Sequence, residues 1–130
     1  MRELNVRWLG KLPYGEAYIL QKGLHSATSQ ENSPFDYLLL LEHNNVVTIG
    51  RSGDINNLLV SKNILNENNI EFFETDRGGD ITFHGDGQLI GYPIIRLDDP
   101  KKVVPFVRKI ENVIIDTLAE LSIDAFSKID

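Results

Sequence analysis

The sequence predicts a single α/β (α+β) domain, and three observations carry that reading. Short runs with strand character recur along the chain, helical spacing interleaves with them, and no internal repeat or low-complexity segment divides the whole. Across 130 residues, 42% hydrophobic and 25% charged side chains are ordinary globular proportions, enough for one buried core. Residues 1–130 are therefore read as one domain.

Each element follows from its residues. Leu4, Val6 and Trp8 alternate with polar neighbours, the pattern of a half-buried strand. Pro13 opens a helical stretch in which Ala17, Leu20 and Leu24 share a face, fading into the polar run SATSQENSP from Ser26 to Pro34, read as a loop. Tyr37 to Leu41 is continuously apolar, as in a strand buried on both faces. Val46, Val47 and Ile49 follow the turn His43-Asn44-Asn45, so the two runs together read as a hairpin. A short helix is expected near Ser61 to Asn66, with Ser61 as its cap, and strand character returns at Ile70 to Phe73. Two further strands, about Asp80 to His84 and Gln88 to Leu97, flank Gly85-Asp86-Gly87 and are expected to pair as antiparallel neighbours. Asp99-Pro100 starts a helix in which Val103, Phe106, Val107, Ile110, Val113, Ile114, Thr117, Leu118 and Leu121 fall at steps of three and four. That stripe should cover one sheet face.

Bulk properties exclude several function classes. A formal net charge of −6 argues against nucleic acid as a partner, because phosphate-tracking surfaces are basic. With no cysteine, disulfide scaffolds, zinc-thiolate sites and cysteine nucleophiles are absent from these residues. The start MRELNVRWLGKLPYGEAY lacks the apolar core of a signal peptide, and no apolar run approaches the 18 or so residues of a membrane span. A soluble, cytoplasmic protein with no membrane contact is the expectation.

The most unusual stretch is DRGGDITFHGDGQLIGYPIIRL, Asp76 to Leu97, which holds Gly78, Gly79, Gly85, Gly87 and Gly91 out of ten glycines in the chain. Glycine in a strand costs backbone entropy, so the density points either to tight turns around a hairpin or to close approach of backbone to something else. Local physics leaves both readings open.

The run RGGDITFHGDGQLIGYPI resembles the signature of lipoyl (octanoyl) transferases, where an arginine-glycine-glycine turn leads through a strand to His-Gly-Pro-Gly-Gln and a Gly-Tyr-Pro strand. The earlier run LLLLEHNNVVTIGRSGDINNLL, Leu38 to Leu59, is similar to the same family's Leu-Glu-His, Thr-x-Gly-Arg and Asn-Leu-Leu pattern, in the right order. Asp86 stands where the family has proline, and His43-Asn44-Asn45 lacks the family's proline-bearing turn.

The resemblance implies a fold like the catalytic domain of biotin and lipoate ligases: a mixed, largely antiparallel sheet with flanking helices, here a partial domain truncated at its C-terminus. It implies an acyltransferase of lipoate biosynthesis and protein lipoylation. Octanoyl-acyl carrier protein is the implied donor. Lipoyl domains of 2-oxoacid dehydrogenases and the glycine cleavage H protein are the implied acceptors, with no cofactor and no metal. The family's cysteine nucleophile and its lysine lie beyond residue 130, so no catalytic residue is expected within the chain. The expected substrate-binding residues are Arg77, Gly78, Gly79, Asp80, Ile81, Thr82, Phe83 and His84.

Within that stretch, Arg77 either steers an anionic group or fixes its loop by pairing with Asp76 or Asp80. Gly78 and Gly79 let backbone amides approach an acyl thioester. His84, with a natural pKa near neutrality, is either a general base or a hydrogen-bonded pocket wall, and strand alternation puts Thr82 on its side. Glu42 and His43 read as ordinary turn polarity, and Arg51 either borders the acyl site or solvates its loop. Two other functions compete. A lipoate-protein ligase would share the fold but needs a phosphate cradle, for which Gly50-Arg51-Ser52-Gly53 before Asp54 is poor. A non-catalytic acyl or carrier-protein binder would keep the pocket and lack the chemistry.

Overall fold

The computed structural model describes residues 2–31 and 33–128; Asn32 of the expected polar loop, and Met1, Ile129 and Asp130 at the ends, lie outside the described residues. Two compact units are present, Met1–Arg96 and Leu97–Asp130.

The first unit is built from two strand-helix-strand crossovers. Strand β1 (Glu3–Leu12) leads through Pro13, whose φ of −54° suits a helix start, into helix α1 (Tyr14–Thr28), and strand β2 (Phe35–His43) returns parallel to β1. Strand β3 (Val46–Ile49) is followed by a 3-10 turn (Ile55–Asn57), helix α2 (Lys62–Glu67) and strand β4 (Glu71–Glu74), which lies parallel to β3. Parallel neighbours require such crossovers, because a tight turn can only reverse a strand. Ser61 caps α2 as expected, its hydroxyl accepting from the Ile64 N–H.

Strands β5 (Ile81–His84) and β6 (Ile90–Ile94) complete two three-stranded sheets, in the orders β1-β2-β6 and β4-β3-β5. Each holds one parallel and one antiparallel pair, giving mixed α+β architecture. Both expected hairpins are corrected. β2 and β3 are joined by a tight connection yet belong to different sheets, and β5 pairs antiparallel with β3 while β6 pairs antiparallel with β2. The physical reason lies in the turns. A two-residue type I′ hairpin needs φ above zero at both central residues, and Asn44 and Asn45 are not among the positive-φ residues, while Gly87 alone of Gly85-Asp86-Gly87 is. Both connections are therefore corners between sheets.

The core of this unit gathers Ala17, Leu39 and Leu41, packed by Leu9, Leu12, Leu24, Tyr92 and Ile94. On α1, Ala17 and Leu24 face inward as expected, but Leu20 is 37% exposed and Tyr14, on the other flank of Ala17, is buried instead. The helix also runs through Ser26 and Ala27, deeper into the polar run than its composition suggests.

In the second unit, Asp99 accepts from the Lys101 N–H and opens a 3-10 turn (Pro100–Lys102) that passes into helix α3 (Val103–Glu120). The helix ends with Ser122 at φ 60°, its N–H bonded to Ala119 O and that of Ile123 to Leu118 O, a Schellman closure of the last turn without the usual glycine. No helix among the described residues is long and apolar enough to cross a membrane.

Candidate functional site

The glycine-rich stretch forms a tethered loop followed by an edge strand. Arg77 turns back on its own loop: its guanidinium donates to Thr48 Oγ1 at 2.8 Å, Thr48 O at 3.1 Å, Asp80 O at 2.8 Å and Gly78 O at 2.8 Å. Thr48 is fully buried, so this fork anchors the loop to the middle strand of the second sheet. The loop-fixing role is the one seen, through the Asp80 carbonyl. The Asp80 carboxylate meanwhile accepts from the Asp54 N–H at 3.0 Å and from the Asn57 side-chain amide, tying in the 3-10 turn.

The backbone of the two loops meets at Gly50. Its N–H donates to Asp80 O and that of Arg51 to Arg77 O. A Cβ at Gly50 would lie within 2.9 Å of the Arg77 and Gly78 carbonyl oxygens and closer still to that of Gly79. Gly50, read in the sequence only as part of a poor phosphate cradle, is thus a glycine demanded by close approach of backbone carbonyls, whereas at Gly78 a Cβ would meet nothing within 4 Å. Gly79 is needed for another reason, its φ of +84°. Sequence alone ranks glycines by local density, and the partner that crowds Gly50 is about thirty positions away.

Strand β5 then presents its residues alternately. Its register with β3 sets Thr82 opposite Thr48 and His84 opposite Val46, so Thr82 and His84 share a face as expected, with Ile81 and Phe83 on the other. On that face α1 contributes aromatic rings. Tyr14 lies 4.9 Å from Phe73 and stacks at 11° on His84 with centroids 6.2 Å apart. Burial, then the neighbouring His43 and Arg77, push the half-buried His84 imidazole below its ordinary pKa, against the raising effect of its hydrogen bond to Gln88. His84 is therefore presented neutral at physiological pH.

His43 is the residue the sequence reading undervalued. It is fully buried, not turn polarity, with Nδ1 2.9 Å from Leu12 O and Nε2 2.8 Å from the Tyr92 hydroxyl. Burial and the nearby Tyr14 push the Tyr92 phenol up to about 12, against lowering from Gln21 and Arg77. The one available signal was the Leu-Glu-His pattern.

A cavity of about 600 Å³ adjoins the loop through Gly50 and is walled by Arg51, Asp54, Lys62, Glu74 and Thr75 among others. Arg51 borders this cavity and lies 3.8 Å from Asp76. Residues 77–84, expected to line the pocket, are not part of its lining. Chemically, the whole arrangement offers a rigid backbone turn, one neutral imidazole and a hydroxyl on one face.

The pattern of the lipoyl protein ligase A/B catalytic domain matches residues 13–129. An octanoyltransferase of Solibacter usitatus is 47% identical over 126 residues, 96% of this chain and 57% of that protein, and one of Dictyoglomus thermophilum is 44% identical over 120 residues, 92% and 50%. The chain thus spans about half the length of the curated relatives it matches. Among solved structures, protein Ta0514 of T. acidophilum, assigned as a lipoate protein ligase, superimposes with a TM-score of 0.77 at 19% identity, covering 100% of this chain and 52% of that one. The form with bound lipoic acid gives 0.73 at 18% identity, covering 99% and 52%. At that identity the likeness concerns the fold alone.

Proposed function

This chain belongs to the lipoyl protein ligase A/B catalytic domain family, and from that premise we propose that it is the acyl-binding portion of an octanoyltransferase. The observation that carries the reading is the 47% identity over 126 residues to an octanoyltransferase, which includes the whole 76–97 stretch that builds the loop and β5. The donor is octanoyl-acyl carrier protein. The acceptor is a lysine on lipoyl domains of 2-oxoacid dehydrogenases and on the glycine cleavage H protein, and the reaction serves lipoate biosynthesis in the cytoplasm.

In this reading Arg77 to His84 form one wall for the acyl thioester. Arg77 keeps the turn rigid, Gly79 lets the backbone take its left-handed conformation, and Thr82 and His84 offer a hydroxyl and a neutral imidazole to the bound thioester. A preorganised wall costs less ordering on binding than a loose loop. The sequence carries no cysteine, so a cysteine thioester forms outside these 130 residues.

A chimera tests the reading. With residues 1–130 grafted in place of the matching segment of a complete octanoyltransferase, octanoyl transfer from acyl carrier protein to a lipoyl domain should proceed without ATP. Acylation that requires free octanoate and ATP would instead assign the chain to a ligase.

A further inference from the structure

The connection from β2 to β3 does more than pass the chain between sheets. Glu42 Oε2 accepts from the Gly87 N–H at 3.2 Å and Asn45 Oδ1 from the Asp86 N–H at 3.3 Å, so side chains of this corner hold the backbone of the other corner. Between them the His43 ring lies 5.7 Å from the His84 ring, and Tyr14 touches both, 5.1 Å from His43 and stacked on His84.

The tautomer of His43 follows from its partners. A carbonyl oxygen only accepts, so Leu12 O requires the proton on Nδ1; with the ring neutral, Nε2 then accepts from the Tyr92 hydroxyl. One strand from each side of β2 therefore sets the ring, β1 through Leu12 and β6 through Tyr92. Such support is needed because β5 has four residues, lies at the edge of its sheet and is followed by a turn with two glycines.

We propose that Glu42, His43 and Asn45 are positioning residues that fix His84 and the turn after it on the site face, with His43 held as the Nδ1–H tautomer by Leu12 and Tyr92. The role for acyl binding rests on the octanoyltransferase reading above; the positioning itself does not.

Long-range proton–nitrogen spectra of the imidazoles in the full chain test it. His43 should carry its proton on Nδ1 with Nε2 bare. Tyr92→Phe keeps the phenyl ring and removes the donor to Nε2; Leu12 O still holds the proton on Nδ1, so the Nε2 resonance of His43 should move to that of an unbonded nitrogen as the ring loses one of its two ties. It should also raise the His84 titration midpoint as the His43 ring beside it loosens and burial of His84 is relieved. The titratable or charged groups facing His84 are Tyr14 from α1, His43 from β2 and Arg77 from the preceding loop, and none of the three is altered. Asn45→Ala, which leaves the His43 pair intact, should speed exchange of the Asp86 amide about tenfold, the loss of one hydrogen bond. A proton on Nε2 of His43 in the unaltered chain overturns the proposal. So does a His84 midpoint unmoved in Tyr92→Phe. With the thioether analogue of octanoyl-pantetheine, Tyr92→Phe should bind at least about threefold more weakly. Failure of the unaltered chain to bind that analogue counts against the acyl-binding reading alone, since the imidazole spectra decide the positioning independently.

Discussion

The two sheets of the first unit share one plan and differ in what holds them. In each, a middle strand has a parallel neighbour reached through a helical crossover and an antiparallel neighbour on its other side, β5 following β4 within the second sheet and β6 crossing from the second sheet to the first. In β1-β2-β6 the cement is aliphatic, with Leu39 and Leu41 against Ala17 and Leu24. In β4-β3-β5 buried Val46, Val47 and Leu65 are joined by directional polar ties: the Arg77 fork on Thr48, the Asp80 carboxylate on Asp54 and Asn57, and a backbone contact at Gly50 that admits no side chain. Apolar burial makes the first sheet a base, and directional bonds give the second a defined shape. A site needs the second kind of precision on top of the first kind of stability.

The comparison breaks at the base if Leu41→Ala is tolerated. Leu41 is fully buried, and its truncation should cost about 2–5 kcal/mol in urea unfolding, with the loop lost together with the core. At the loop, Gly50→Ala should cost about 2 kcal/mol by forcing three carbonyls apart, and proteolysis near Arg77 should quicken while the first sheet keeps its amide protection. Collapse of both sheets together would show that the loop is part of the base.

Asp36 sharpens the comparison, as a polar group inside the aliphatic sheet. Burial alone raises its carboxyl, but the Arg2 side chain, the Arg96 N–H and the Arg2 charge outweigh it and hold the pKa below the ordinary carboxylate value of 3.8. A lowered folded-state pKa contributes stability that is present above that ordinary value and lost as pH falls through the folded one. Asp36→Asn should therefore cost about 1.5 kcal/mol at pH 7. It should also flatten the acid limb below about pH 4 in denaturation followed against pH. The smallest effect is expected at Gly78→Ala, within about 0.5 kcal/mol of the parent, because no neighbour meets the added methyl.

The sequence revealed elements better than their partners. Ser61 and Asp99 announced two helix starts because a cap is a local bond. The two corners read as hairpins because a turn with strands on either side looks alike whether the strands pair or part; the difference is set by φ at Asn44, Asn45 and Gly85, and by where the partners lie. The same holds for the site. Arg77 to His84 stood out by glycine density, whereas Gly50, His43 and Tyr92 have meaning only through residues far along the chain, the Arg77–Gly79 carbonyls and Leu12 among them.

The most direct test of the account is to add octanoyl-acyl carrier protein to the isotopically labelled chain and map backbone amide shifts. The account predicts that Gly78, Gly79, Thr82 and His84 move most, while β1, β2 and β6 stay largely unperturbed. Shifts confined to the cavity beside Gly50, or to the outer edge of the first sheet, with residues 77–84 unmoved, would contradict it.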